Sequence, residues 1–408
     1  MIVGAGHAGV ELAFELRKHD ASRHIILLSA EDVHPYQRPI LSKQYLASPK
    51  DEPLWLRPPS AYAERMIDLR LGARVTSIDC QARQLHLQDG ARFEYGQLVL
   101  ATGGVPRTLA LPGLSGKQPS NLGYLRTLAD ARALRSQLRP DTTLAIVGAG
   151  YIGLEVAAAA RAMGATVHVF EQHPRLLSRV ASPELATFIA EAHQREGVNL
   201  HLGTTLEACE MRDDVRIARL GYRTPQGDCQ TLDVDTVLVG IGIAPDVQLA
   251  AASGLETGNG IIVDTRFRTS DPFIHALGDC AIQHHSFYER AMRIESIPNA
   301  LEQARALSRV LLDQAAPPQA PPWFWSEQYH LKVQSVGIPS GYDTTILRGS
   351  PCSQTFAAFH LRERRVIAVE AVNKAREFLA CKKLVVSGVQ VDPSRLADEK
   401  IDLTSLIG

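Results

Sequence analysis

No apolar run in this 408-residue chain approaches the roughly 18 residues of a membrane-spanning helix, so no transmembrane span is expected. The longest stretches, such as Leu98–Ala101 and Val156–Ala160, are core-sized. Cysteine is scarce: six residues, at 80, 209, 229, 280, 352 and 381, are scattered with no Cys-x-x-Cys or metal-ligand spacing. That gives no metal site and suits reduced thiols in a cytoplasm better than a disulfide framework. An excess of either charge is also missing. The 43 basic and 44 acidic residues leave a formal charge of −1, against a dedicated nucleic-acid binder. Met1-Ile2-Val3-Gly4 lacks a basic-then-apolar leader, so no secretory signal is expected. What remains is ordinary globular composition, 45% apolar and 21% charged, at a length that implies two or three domains.

The chain repeats one unit. Ile2-Val3-Gly4-Ala5-Gly6-His7-Ala8-Gly9 leads into a helix with Leu12, Ala13 and Leu16 on one side, then a strand over His24–Leu28. Thr143–Val147, Gly148-Ala149-Gly150-Tyr151-Ile152-Gly153, an Ala-rich helix from Leu154 and a strand Thr166–Phe170 repeat it about 145 positions later. Each copy carries an antiparallel excursion, Val75–Tyr95 in the first and Leu206–Leu232 in the second. Each then has an exit strand ending in glycine, at Gln97–Gly104 and Thr236–Gly242. A strand Ile274–Ala281 carries Asp279, and a helical stretch Pro298–Asp313 follows. The run Ala315–Pro322 reads as a stiff linker. The expected class is α/β: two Rossmann-like nucleotide-binding domains with parallel central sheets, plus a C-terminal α+β domain. The expected boundaries are 1–107 with 243–316, 108–242, and 317–408.

Gly-x-Gly-x-x-Gly has a physical reading. The first glycine permits the tight turn, the second lets a pyrophosphate approach the backbone, and the third lets helix and strand pack closely. Two such turns, each between an apolar strand and an Ala-rich helix, point to two dinucleotide sites. In the second unit Glu171 ends the strand 18 residues after Gly153 (171 minus 153), placed to accept a ribose 2′-OH and repel a 2′-phosphate. NADH is therefore expected over NADPH, with Arg175 and Arg179 near enough to soften the preference. In the first unit the acid, Glu31, sits one place later than expected.

The two fingerprints, with Ala101-Thr102-Gly103-Gly104-Val105-Pro106-Arg107 and Leu277-Gly278-Asp279-Cys280, resemble FAD- and NAD-dependent reductases of the glutathione-reductase structural class. Finer segments narrow this. Arg38-Pro39-Ile40-Leu41-Ser42-Lys43, Tyr124-Leu125-Arg126-Thr127, Arg293-Ile294-Glu295-Ser296-Ile297-Pro298-Asn299-Ala300 and Trp323-Phe324-Trp325-Ser326 are similar to the NADH-dependent ferredoxin reductase family, across essentially the whole chain. The resemblance implies tightly bound, non-covalent FAD, reduced by NADH and reoxidised by a 2Fe–2S ferredoxin that feeds a haem-thiolate (cytochrome P-450 type) monooxygenase. Reductase components of aromatic-ring dioxygenase systems are near relatives.

Carried over by position, the resemblance implies FAD contacts at Gly4, Gly6, Ala8, Gly9, Arg38, Lys43, Val75, Ala101, Thr102, Arg126, Asp279 and Ile297. Glu31 substitutes for a ribose acid that relatives carry at the position of Ala30. Gly148, Gly150, Tyr151, Ile152, Gly153, Glu171 and Gly242 fall to NADH. Lys43 and Glu155 match a pair at the flavin N5 edge, and Trp325 covers the flavin or lines the ferredoxin surface. An acidic ferredoxin would be steered by Arg57, Arg65, Arg305 and Lys332.

Cysteine usage discriminates within the class. Disulfide reductases need paired thiols beside the flavin and peroxide-reducing relatives need one, yet Leu41-Ser42-Lys43-Gln44 contains none. Cys280 is adjacent to Asp279 but lacks a partner, which fits a buried thiol. Competing readings are an NADH oxidase or quinone reductase, and a redox-responsive FAD/NADH-binding signalling protein resembling apoptosis-inducing factor. The short charged tail Asp392–Gly408 offers no amphipathic segment to a quinone reductase.

Overall fold

The computed structural model describes residues 1–48, 54–114, 118–213 and 215–407. The chain forms two compact units: the described residues of 1–37, 53–105 and 243–322, and those of 38–52, 106–242 and 323–408.

The first unit is built on a parallel five-stranded sheet, ordered Ile274–Ala276, Leu98–Leu100, Ile2–Val3, Ile25–Leu28, Ile67–Arg70. Ile25–Leu28 is buried along its whole length, as a strand covered on both faces must be. Alternation sends Ile2, Leu27 and Val99 toward helices His7–His19 and Ile297–Val310, where they meet Leu12, Ala304 and Leu307. Val3, Leu28 and Leu100 face the other way, into a core with Ile78, Leu85 and Ile261. The excursion is an antiparallel sheet of Val75–Asp79, Gln84–Leu87 and Arg92–Glu94. Ala315–Pro322 carries neither helix nor strand.

The second unit repeats the plan. Its parallel sheet runs Asn199–Leu202, Thr166–Glu171, Thr143–Val147, Thr236–Val239, Leu122–Tyr124, with helix Tyr151–Ala162 crossing from the central strand. Its excursion is the antiparallel sheet Thr205–Arg212, Arg216–Arg223, Cys229–Asp233. The C-terminal segment adds a five-stranded antiparallel sheet, ordered Trp323–Gln328, Leu331–Gly337, Arg365–Val372, Thr355–Arg362, Thr344–Ser350. Helix Phe378–Ser387 covers one face through Cys381 and Leu384 against Phe359 and Val369. The other face, with Val333, Phe356 and Val372, packs into the same core as Leu154 and Phe188. No helix among the described residues is long and apolar enough to cross a membrane.

Candidate functional site

The two glycine turns are locally alike, and each glycine is there for a different reason. Gly4 and Gly148 have φ of +107° and +103°, left-handed values that favour glycine. A Cβ on Gly4 would strike Ala101 O, and one on Gly148 would lie 2.6 Å from Gly240 O, so each exit strand closes on its turn. A Cβ on Gly9 would strike Gly4 O, and one on Gly153 would strike Gly148 O, which is the close packing of helix on strand.

The middle glycines differ. Gly6 (φ −79°, ψ −169°) and Gly150 (φ −80°, ψ 174°) have extended backbones that any residue adopts. A Cβ on Gly6 would meet nothing within 4 Å, and one on Gly150 only Gly240 O at 4.0 Å. Neither conformation nor packing within the protein calls for glycine there; a ligand lying against the backbone would. Both helices that follow lack a side-chain N-cap and have no acid in the first turn. The positive dipole end of each helix suits an outside anion. The residues fit a pyrophosphate at each turn.

Around the first turn, Thr102 Oγ1 donates to Asp246 O at 2.7 Å. Asp279 lies in the 3₁₀ turn Gly278–Cys280, where Gln303 Oε1 accepts from Gly278 N–H and Arg293 donates to Asp279 O. Ile297 opens the helix that Ser296 caps, and Val75 begins its excursion strand. Glu31 Oε2 accepts from the Tyr36 hydroxyl at 2.7 Å, a contact that orients the carboxylate. Arg38 and Arg126 belong to the second unit, where Arg38 Nη1 donates to Arg126 O at 2.6 Å.

At the second turn Glu171 ends its strand as expected. Its Oε2 accepts the Ala149 N–H at 3.0 Å and its Oε1 accepts the His173 N–H at 2.9 Å. An ionised carboxylate has about four acceptor positions, so two stay open for a ribose. Arg175 does not have the freedom expected of it: its guanidinium donates to Ala181 O at 2.8 Å and Ser178 O at 3.3 Å, stapling its own loop. Arg179 Nη2 would lie 3.4 Å from a Cβ on Gly242. Ile152 is 45% exposed in the first helical turn, and the Tyr151 ring packs against Phe324, centroids 4.5 Å apart and planes tilted by 43°.

Lys43 and Glu155 form an ion pair, Nζ to Oε2 at 2.7 Å, with Glu155 only 2% exposed. A buried pair persists when its remaining lone pairs find partners, and here both carboxylate oxygens do. Ser42 donates to Oε2 at 2.5 Å, Ser326 donates to Oε1 at 2.6 Å, and Lys43 also donates to Pro39 O. Ser42, Ser326, Gln328 and His193, which extend this network, were not singled out for a role from sequence. The available signal is Trp323–Gln328 itself: strand alternation puts polar Ser326 and Gln328 on one face, and both are buried. Trp325 lies on the other face with Trp323, ring centroids 5.8 Å apart, and Lys382 Nζ sits 3.3 Å from the centre of the Trp323 ring.

Two of the proposed steering cations converge on one acid. Arg57 Nη2 lies 3.1 Å and Arg305 Nη2 2.7 Å from the carboxylate of buried Glu11. Arg65 and Lys332 are exposed. All six cysteines are free, and burial pushes the Cys280 thiol pKa up, away from reactivity. No metal-holding cluster occurs among the described residues.

Residues 1–304 match the pyridine nucleotide-disulphide oxidoreductase family, and residues 323–407 match the reductase C-terminal family. The chain is 41% identical to the putidaredoxin reductase CamA of Pseudomonas putida, over 100% of this chain and 96% of that one. It is 38% identical to the anthranilate 1,2-dioxygenase system ferredoxin–NAD(+) reductase component of Burkholderia cepacia, covering 100% and 98%. The crystal structure of a covalent putidaredoxin reductase–putidaredoxin complex superposes with a TM-score of 0.93 at 42% identity, covering 100% and 97%.

Proposed function

Because the chain belongs to the pyridine nucleotide-disulphide oxidoreductase family, as an FAD-dependent, NADH-using ferredoxin reductase, we propose that it reduces a 2Fe–2S ferredoxin serving a haem-thiolate monooxygenase. The observation that supports this reading is the pair of middle glycines, Gly6 and Gly150, which leave the backbone bare for a ligand, in a chain whose six cysteines are all free.

On this reading residues 1–107 and 243–316 hold FAD, 108–242 hold NADH, and 317–408 form the C-terminal domain. Gly4, Gly6, Ala8 and Gly9 face the FAD pyrophosphate, and Glu31, Val75, Ala101, Thr102, Asp279 and Ile297 complete its contacts in the first unit. Arg38, Lys43 and Arg126 are the remaining FAD contacts on this reading. Gly148, Gly150, Tyr151, Ile152, Gly153, Glu171 and Gly242 bind NADH. Bound FAD supplies the chemistry, accepting a hydride and releasing electrons singly. The protein's own part is placement and charge. The Lys43 ammonium, held by Glu155, stabilises negative charge that develops on the ring system, and Glu155 fixes where that ammonium points. Trp325 lies at the flavin or on the ferredoxin surface.

The dioxygenase-system relative supports a second reading, in which the ferredoxin serves an aromatic-ring dioxygenase. Reduction of ferredoxins of both systems, compared by kcat/KM, separates the two. The pair is tested by Lys43→Met: slower flavin reduction by NADH and a lower flavin potential are expected, and an unchanged rate and potential would remove its role.

A further inference from the structure

Glu155 is one end of a buried polar chain that crosses the second unit. Ser326 Oγ donates to Glu155 Oε1 at 2.6 Å, and Gln328 Nε2 donates to Ser326 Oγ at 3.1 Å. Gln328 Oε1 lies 2.8 Å from His193 Nε2, and the Tyr329 hydroxyl lies 3.0 Å from His193 Nδ1. Ser326 and His193 are 0% exposed and Gln328 is 1% exposed.

The direction of every bond follows from the first. An ionised carboxylate only accepts, so Ser326 must donate to Glu155 and accept from the Gln328 amide. That turns the Gln328 carbonyl toward His193, whose Nε2 must then carry the proton. Nδ1 is left as an acceptor, and Tyr329 donates to it. Burial lowers the His193 pKa, consistent with the neutral ring this requires. Four donors therefore point one way, toward the carboxylate, and polarise one another. A proton wire is a poorer reading, because an amide such as Gln328 neither takes up nor releases a proton at ordinary pH.

We propose that His193, acting through Gln328 and Ser326, is a positioning residue for the reductase reaction that holds the Glu155 carboxylate in the orientation that presents Lys43. This rests on the reading that the Lys43–Glu155 pair acts on the flavin.

The test is a double-mutant cycle on the FAD-loaded protein, read by the rate of flavin reduction by NADH in stopped flow and by the flavin midpoint potential. His193→Phe removes the Nε2 donor while keeping a ring beside Tyr329. It is expected to slow reduction roughly 5-fold, the size of one lost hydrogen bond, and to shift the potential in the same direction as Glu155→Gln. In the Glu155→Gln background it should do nothing further, because the chain then has no charge to orient. His193→Gln restores a donor and should recover most of the rate. Gln328→Met repeats the cycle at the middle of the chain should His193→Phe not fold.

An effect of His193→Phe that is absent, or equally large in both backgrounds, overturns the positioning role while leaving the pair's role intact. A silent Glu155→Gln overturns both.

Discussion

Glu171 Oε2 accepts the backbone N–H of Ala149, the residue between the first two glycines of the second turn, at 3.0 Å. The acid expected to read the ribose therefore also shapes the loop expected to receive the pyrophosphate. Glu171→Ala should lower kcat/KM for NADH by about 10- to 100-fold, the scale of lost charged hydrogen bonds. It should not create an NADPH enzyme, because Arg175 is already bonded to Ala181 O and Ser178 O. Initial rates with both nucleotides check this; a variant preferring NADPH would contradict it.

The glycines of each turn should separate under substitution. Gly6→Ala and Gly150→Ala are expected to fold, with the unfolded chain's lost freedom adding about 0.4–1 kcal/mol to apoprotein stability. The first should lose FAD and the second should raise KM for NADH. Gly9→Ala and Gly153→Ala place a Cβ against backbone oxygen, and overpacking of that kind costs on the order of 1–3 kcal/mol. Flavin content after gel filtration and thermal unfolding midpoints distinguish the two classes.

Arg57 and Arg305 share the Glu11 carboxylate, so together they present one net positive charge. Arg305→Ala should lower the rate of ferredoxin reduction at low ionic strength and flatten its dependence on salt, since screening acts over about 8–10 Å near physiological salt. Rates measured across a salt series check this. An unchanged slope would mean that Arg305 takes no part in steering.

Two histidines set an acid limit on stability. His201, stacked on Phe170 at 4.5 Å, and His275, in the central sheet of the first unit, have pKa values lowered to about 4. Burial is the main cause at both, followed by His168 at the first and Arg268 at the second. Both rings are neutral in the folded protein and titrate near 6.5 once unfolded. Their stabilisation is full above that value and falls as pH drops from 6.5 toward 4, because the unfolded state takes up the protons. His201→Phe should show a smaller drop in unfolding midpoint between pH 7 and pH 4.5 than the parent; an equal drop would count against the assignment.

The repeat, the sheets and the glycine turns were legible because local spacing carries them. Gly4, Gly6 and Gly9 lie within one turn, and the place of Glu171 follows from the length of a helix and a strand. The polar network was not legible. Glu155 and Ser326 are 171 positions apart, and Gln328 and His193 are 135 apart. Nothing in either segment announces its partner until the C-terminal sheet packs on helices Tyr151–Ala162 and Pro183–Arg195. Glu11 was missed for a similar reason, since one of its two arginines lies 294 positions away. Arg175 was visible as a charge, but its carbonyl partners come from a loop shape that composition does not reveal.

The most direct measurement is steady-state reduction of a purified 2Fe–2S ferredoxin by the FAD-loaded protein, with NADH and NADPH compared at equal concentration. The account predicts rapid ferredoxin reduction with NADH and a much lower kcat/KM with NADPH. NADH consumption that reduces only oxygen, a quinone or a disulfide, with the ferredoxin left oxidised, would contradict it.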